Sequence, residues 1–238
     1  MSYHDADELI RKLSIMSSTE ATKQLTKFFV KARFGIDGDD FHRRFVDGKD
    51  DGGIDFYNVE DGTYYIVQTK FSSSSQKASL ELILHELAKI SNTIIGQNPN
   101  QRADEFVNDL RRQLNKTCLL EIIWLTTDVI EQSTALEAQK RLNELKKSNN
   151  WGIELDFVPF DARSLDRMIF DVEHGYIPYT ARKRIEILDR KYLVNSGYKT
   201  GLYSIVCSVR LVDMLKWLQS SEDVKRYLQK ERQRVQGR

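Results

Sequence analysis

The sequence predicts an α/β fold in which a mixed central β-sheet is flanked by helices, with a small C-terminal α+β extension. Three observations carry that expectation. Two β-prone runs, Phe56-Tyr57-Asn58-Val59 and Thr63-Tyr64-Tyr65-Ile66-Val67, flank Asp61-Gly62. Asp-Gly between such runs is a strong hairpin signal, because Gly takes positive φ without steric penalty. Residues 118–127 form a nearly continuous apolar run of strand length, as expected of a strand buried on both faces. A helical pattern over 131–147 and a further strand over 152–160 follow it. Strand, long helix, strand is a βαβ-type unit, and its two strands should be parallel neighbours in one sheet.

Taken in order, residues 5–16 read as a short amphipathic helix through Leu9, Ile10, Leu13 and Met16. Ser17 and Glu20 have capping-box spacing. The helix they open runs to about Phe34, carries Leu25, Phe28, Phe29 and Ala32 on one stripe, and ends near Gly35. Glu20 therefore has two readings: a helix cap, or a carboxylate projecting from the first turn toward the hairpin. From 35 to 51 the chain is acidic and loop-like, with Arg43-Arg44-Phe45-Val46 as a short strand. After the hairpin, residues 71–77 are a serine-rich polar segment read as a mobile loop. Residues 80–95 form an amphipathic helix ended by Gly96 and Asn98-Pro99-Asn100, and a second helix covers about 101–115. Residues 162–171 read as a short closing helix. A boundary near His174-Gly175-Tyr176-Ile177-Pro178 separates a domain over 1–174 from an extension over 175–238. In the extension, 181–194 and 202–209 read as strands with Asn195-Ser196-Gly197 as their turn signal. Residues 210–218 and 221–238 read as helices, the last one basic.

Composition narrows the function classes. A hydrophobic content of 40% with 30% charged residues describes an ordinary globular chain. The apolar runs are too short to span a bilayer, and the acidic start lacks the regions of a signal peptide. Cys118 and Cys207 both sit in apolar runs, so they are expected to be reduced and buried, and the expected compartment is the cytoplasm. His4, His42, His85 and His174 are scattered without paired ligand spacing, which argues against a zinc centre or a His-dependent hydrolase. No Gly-rich loop followed by Lys-Ser/Thr occurs, which argues against P-loop nucleotide binding. The net charge of +1 hides an asymmetry: 14 of the 36 basic and 6 of the 35 acidic residues lie from Arg182 onward, or +8, leaving 22 against 29, or −7, before it. A basic C-terminal portion suits a polyanionic partner.

The hairpin concentrates the chemistry. With a two-residue turn, Glu60 pairs with Thr63, and counting back places Asp55 across from Gln68. Paired residues share a face, and Lys70 follows two residues later on that face. Phosphodiester hydrolysis needs a divalent cation, oxygen ligands and a group that aligns water or offsets charge. Magnesium prefers carboxylate, amide and water oxygens. Asp55 offers a carboxylate, Gln68 its side-chain carbonyl, Thr69 its backbone carbonyl and Lys70 an ammonium. Glu20 would add a second negative charge if its helix packs across the hairpin. Taken singly, an Asp beside Gly-Gly is most simply a turn residue and a strand-end lysine a solubilising edge; only the constellation points to catalysis.

Gly53-Ile54-Asp55 followed by Gln68-Thr69-Lys70 resembles the PD-(D/E)xK, or restriction-endonuclease-like, nuclease core in the Gln-x-Lys form of Mrr-like enzymes. The run Asp51-Gly52-Gly53-Ile54-Asp55, with Val67-Gln68-Thr69-Lys70-Phe71, is more similar still to the N-terminal domain of AIPR-type abortive-infection phage-resistance proteins. The motifs cover about residues 50–71, and the order of elements extends the resemblance to about 171. The resemblance implies a Mg²⁺-dependent DNA endonuclease (Mn²⁺ substituting) acting in defence against phage or foreign DNA. In it Asp55 is the metal-binding acid, Gln68 takes the second ligand position, Lys70 is the catalytic lysine, and Glu20 matches a helix carboxylate by position. Gln68 departs from the acidic consensus and leaves a charge deficit at the metal. The expected partner is DNA, with RNA as an alternative substrate and a homodimer suited to double-strand cutting. The rival reading is a catalytically inactive nucleic-acid-binding or regulatory module of the same fold.

Overall fold

Helices and strands follow their local sequence signals in the computed structural model, which describes residues 4–46, 48, 51–60, 62–74, 76–97, 102–116 and 118–173, and the backbone of 187–196 and 203–209. The chain divides into two units, Met1–His174 and Gly175–Arg238. The first begins with α1 (His4–Leu13), which buries Ala6, Ile10 and Leu13. In α2 (Ser18–Phe34), Ser17 Oγ accepts the Glu20 N–H at the start, and Gly35 closes the end at φ 69°. The segment expected to be loop-like instead contains α3 (Gly38–Arg44). Asp37 accepts the Gly38 N–H at its start, acids fill the first turn and His42, Arg43 and Arg44 the last, a distribution that complements the helix dipole. Phe41 anchors it as a fully buried side chain. The strand expected at 43–46 is thereby replaced by a helix end, and Phe45 makes only an isolated bridge to Phe56.

The hairpin is β1 (Phe56–Glu60) and β2 (Thr63–Lys70), antiparallel from Glu60↔Thr63 to Phe56↔Val67. Gly62 has φ 75°; its turn neighbour Asp61 lies outside the described residues. Two helices, α4 (Leu80–Ile95) and α5 (Asp104–Gln113), lead to β3 (Leu119–Thr126). It pairs parallel with β2, Gln68 against Trp124. After α6 (Gln132–Ser148), β4 (Glu154–Phe160) pairs parallel with β3, as the βαβ pattern predicts, and α7 (Ala162–Glu173) follows. The sheet order is β1-β2-β3-β4. Its period-two alternation divides the core. Tyr64 and Ile66 of β2, with Leu120, Ile122 and Trp124 of β3, pack against α4, α5 and α6. Tyr65 and Val67, with Ile123 and Leu125, pack against α1, α2 and α7. All eight residues of β3 are buried, which explains why it reads as a continuous apolar run.

Glu121 is the exception within that run. Its side chain is 1% exposed and meets Arg33 of α2 at 3.1 Å. The guanidinium also lies within 6 Å of the rings of Phe29, Phe34 and Tyr65. Such a pair recovers little net stability after desolvation, but losing one partner strands a buried charge at a cost of about 3–5 kcal/mol. It therefore fixes α2 on the sheet more than it stabilises the fold.

In the second unit, β5 (Ile187–Ser196) and β6 (Tyr203–Val209) form a separate antiparallel pair ending at Ser196↔Tyr203. Asn195 and Ser196 belong to β5 rather than to the turn, and Cys207 lies in β6. The boundary residues 174–178 and the helices expected at 210–218 and 221–238 lie outside the described residues. No described helix is long and apolar enough to cross a membrane.

Two predictions follow from packing. At Gly53, φ is 80° and an added Cβ would stand 2.9 Å from Ile90 Cγ1 and 3.1 Å from the Glu86 carbonyl oxygen. Gly53→Ala should destabilise the domain by roughly 2–4 kcal/mol in denaturant unfolding, from combined backbone strain and overpacking. Tyr64 of β2 is buried and donates to Asp109 of α5. Burial first, and then that hydrogen bond, push its phenol from 10.0 to about 12. A raised folded pKa means the contribution is complete below pH 10.0 and is lost as pH rises toward about 12. Tyr64→Phe should remove this alkaline component from the pH dependence of unfolding.

Candidate metal centre

The residues singled out in the hairpin meet at the carboxyl end of β2, where β1 gives out. Counting residues puts Asp55 opposite Gln68, but the ladder stops at Phe56↔Val67 and the Asp55 N–H also donates to the Val67 carbonyl, at 3.0 Å. Asp55 thus leaves the ladder one residue before the count would pair it. Asp55 turns its carboxylate onto the Thr69 N–H, with Oδ2 at 2.6 Å. It lies against the peptide that joins Gln68 to Thr69, and Asp55 is 2% exposed. An extended residue directs its N–H and C=O to the same side, so the Thr69 carbonyl also faces the edge occupied by Asp55.

Gln68 and Lys70 project on the face of Tyr64 and Ile66, the face covered by α4. Gln68 is 1% exposed, and its Oε1 has no hydrogen-bond partner. A buried acceptor left unsatisfied costs about 1–3 kcal/mol, so an amide oxygen in this state marks a position suited to a cation. Lys70 Nζ reaches Glu86 Oε1 of α4 at 3.1 Å. Glu86 is 3% exposed, and Lys89 Nζ lies 3.2 Å from each of its carboxylate oxygens.

The opposite face holds the other expected acid. Thr69 turns its hydroxyl to Thr26 of α2 at 2.8 Å. Glu20 begins that helix, with its N–H capped by Ser17 and its Oε1 accepting from Gln24 Nε2 at 2.6 Å. Both bonds are local to the helix start. The structure thus joins Asp55 to Thr69 through the main chain, sets Gln68 and Lys70 on the α4 face with Glu86 paired to Lys70, and holds Glu20 in contacts of its own helix. His42 is exposed in α3 and His85 is exposed on α4.

Glu86 had a readable signal. Ile83, Leu87, Ile90 and Ile94 form the buried stripe of α4, and Glu86 falls inside it, three residues after Ile83 and four before Ile90. A charge within an apolar stripe requires a partner. Its loop contacts were less readable. Gly52 and Gly53 press on α4, with Thr93 Oγ1 donating to the Gly52 carbonyl at 3.0 Å, so the loop before Asp55 is set by the same helix. The serine-rich segment after Lys70, expected to be a mobile loop, is bonded at its two ends: Ser72 exchanges hydrogen bonds with Thr127 Oγ1, Val129 donates to the Gln76 carbonyl, and Ala78 donates to that of Val129.

Among the described residues no three or more His, Cys, Asp or Glu side chains form a group that could hold a metal. The hairpin itself offers one carboxylate, an amide oxygen and a main-chain carbonyl. Fold and site define an α/β domain with a buried, oxygen-rich polar cluster at the end of its central hairpin. No protein-family model, curated protein or solved structure matches the chain.

If the Gln68 oxygen is kept for a cation, an apolar side chain of similar shape should be easier to bury. Gln68→Met should leave the metal-free protein as stable or more stable by about 1 kcal/mol. It should also abolish any rise in melting temperature produced by Mg²⁺ or Mn²⁺. A large loss of stability without metal would show instead that the amide has a structural role.

Proposed function

We propose that this protein is a Mg²⁺-dependent endonuclease of restriction-endonuclease-like fold that hydrolyses phosphodiester bonds in DNA. The observation that carries the proposal is the buried Asp55 carboxylate at the Gln68–Thr69 peptide, with the unpartnered Gln68 oxygen on that peptide's first residue and Lys70, paired with Glu86, next along the strand. The donors are all oxygen, as magnesium prefers. Asp55, Gln68 and the Thr69 carbonyl would hold the ion, which supplies the Lewis acidity that attack by water on a phosphodiester requires. Lys70, 34% exposed, is the group available to a phosphate oxygen, where it stabilises the charge that develops as the bond breaks. Lys89, 40% exposed, adds positive charge for the nucleic-acid backbone.

The resemblance of Asp51-Gly52-Gly53-Ile54-Asp55 and Gln68-Thr69-Lys70 to phage-resistance nucleases supports a defence role in the cytoplasm. A homodimer would set two such sites on one duplex. With Gln68 neutral, Asp55 is the single formal negative charge in the hairpin's own donor set. A second acid has to come from outside that set, Glu20 or Asp51, and Glu20 is the residue that the family resemblance nominates.

Relaxation of supercoiled plasmid with Mg²⁺ or Mn²⁺ tests the reading directly. Wild type should nick DNA, and Asp55→Ala and Lys70→Ala should each lose about 100-fold or more. DNA affinity should fall steeply as salt rises, through counterion release. Persistent DNA binding with no cleavage of DNA or RNA under either metal would replace the enzyme with a binding or regulatory module.

A further inference from the structure

We propose that Glu86, rather than Glu20, supplies the second negative charge of the metal centre, and that it holds Lys70 until a phosphate takes over that ammonium. This rests on the metal-dependent reading of the hairpin given above. Four observations converge on Glu86. It is buried, at 3% exposure, in the middle of the apolar stripe of α4. It already touches the site, through Lys70 Nζ at 3.1 Å. Its helix is in van der Waals range of the loop that carries Asp55, since a Cβ on Gly53 would meet the Glu86 carbonyl oxygen at 3.1 Å. On the same α4 side of the sheet, Gln68 Oε1 is a buried oxygen without a hydrogen-bond partner, and Glu86 Oε2 lies 3.2 Å from the Lys89 ammonium.

Charge supports the same assignment. Lys70 and Lys89 both reach the Glu86 carboxylate, so two ammoniums share a single acid. A dication bound by Asp55 and Gln68 would compete with Lys70 for that acid, and a substrate phosphate would then receive the released ammonium. Glu20 lacks this placement. It sits on the helix that packs against the opposite face, where Thr69 meets Thr26, and Gln24 engages its carboxylate.

The test is Mn²⁺ binding to the full chain by titration calorimetry, without nucleic acid, with folding checked by circular dichroism. Glu86→Gln keeps shape and removes charge, and should weaken Mn²⁺ binding by about tenfold or more, whereas Glu20→Gln should change it by less than about threefold. Lys70→Met removes the competing ammonium and should tighten binding by about threefold, a gain that disappears in the Lys70→Met/Glu86→Gln double variant. Wild-type affinity in Glu86→Gln, or a Lys70→Met gain that survives in the double variant, overturns the assignment and leaves the hairpin site standing. If Glu86→Gln does not fold, unchanged or weaker binding by Lys70→Met overturns it. No Mn²⁺ binding by wild type brings down the metal reading itself, and the role of Glu86 with it.

Discussion

The Thr69 main-chain N–H is the point on which the site depends. It lies in a buried strand, two residues past the last β1 partner, where no further ladder acceptor is available. A buried donor without an acceptor is costly, and the Asp55 carboxylate satisfies it at 2.6 Å. That bond is charge-assisted and roughly twice as strong as a neutral one. The same residue binds α2 through its hydroxyl and Thr26. Loop, sheet and helix are thus joined at one residue, and the orientation of the acid follows from the needs of the backbone.

On the other side of the sheet, position is set by lack of space. Gly52 and Gly53 have φ of 63° and 80° and lie where a Cβ would collide with Thr93 and Ile90. The glycines let α4 approach the strand end closely enough for a glutamate of ordinary length to reach Lys70. Burying that ion pair contributes little to stability once desolvation is counted.

Most of the layer architecture was readable because it rests on short-range signals. The Asp-Gly turn fixes the hairpin register, Ser17 with Gly35 and Ser79 with Gly96 bracket two helices, and the largely apolar β3 announces a central strand. What escaped the sequence depends on tertiary contact. Strict alternation cannot foresee that the ladder ends before Asp55 and that its carboxylate turns to the Thr69 N–H. Acidic composition concealed α3, whose stability comes from Asp37 and the burial of Phe41. The serines after Lys70 look like a mobile tract, yet Ser72 and Gln76 at its two ends bond to Thr127 and Val129, more than fifty positions away. Gln68, Thr69 and Lys70 were identifiable by type and spacing. Glu86 needed the additional step of asking why a charge interrupts an apolar stripe.

The connectivity of the sheet also has a kinetic consequence. Hairpin β1–β2 closes through two residues, whereas the parallel pairing of β2 with β3 must first bring together chain separated by residues 71–118, which carry α4 and α5. Hairpins form in about 1–10 μs, and long closures pay their chain entropy before any contact rewards it. Asp55, Gln68 and Lys70 are therefore neighbours early in folding but enter a low-dielectric setting only when the crossover docks. On a ribosome that emits the chain from its N-terminus, the polar cluster stays hydrated until β3 and its helices have been made.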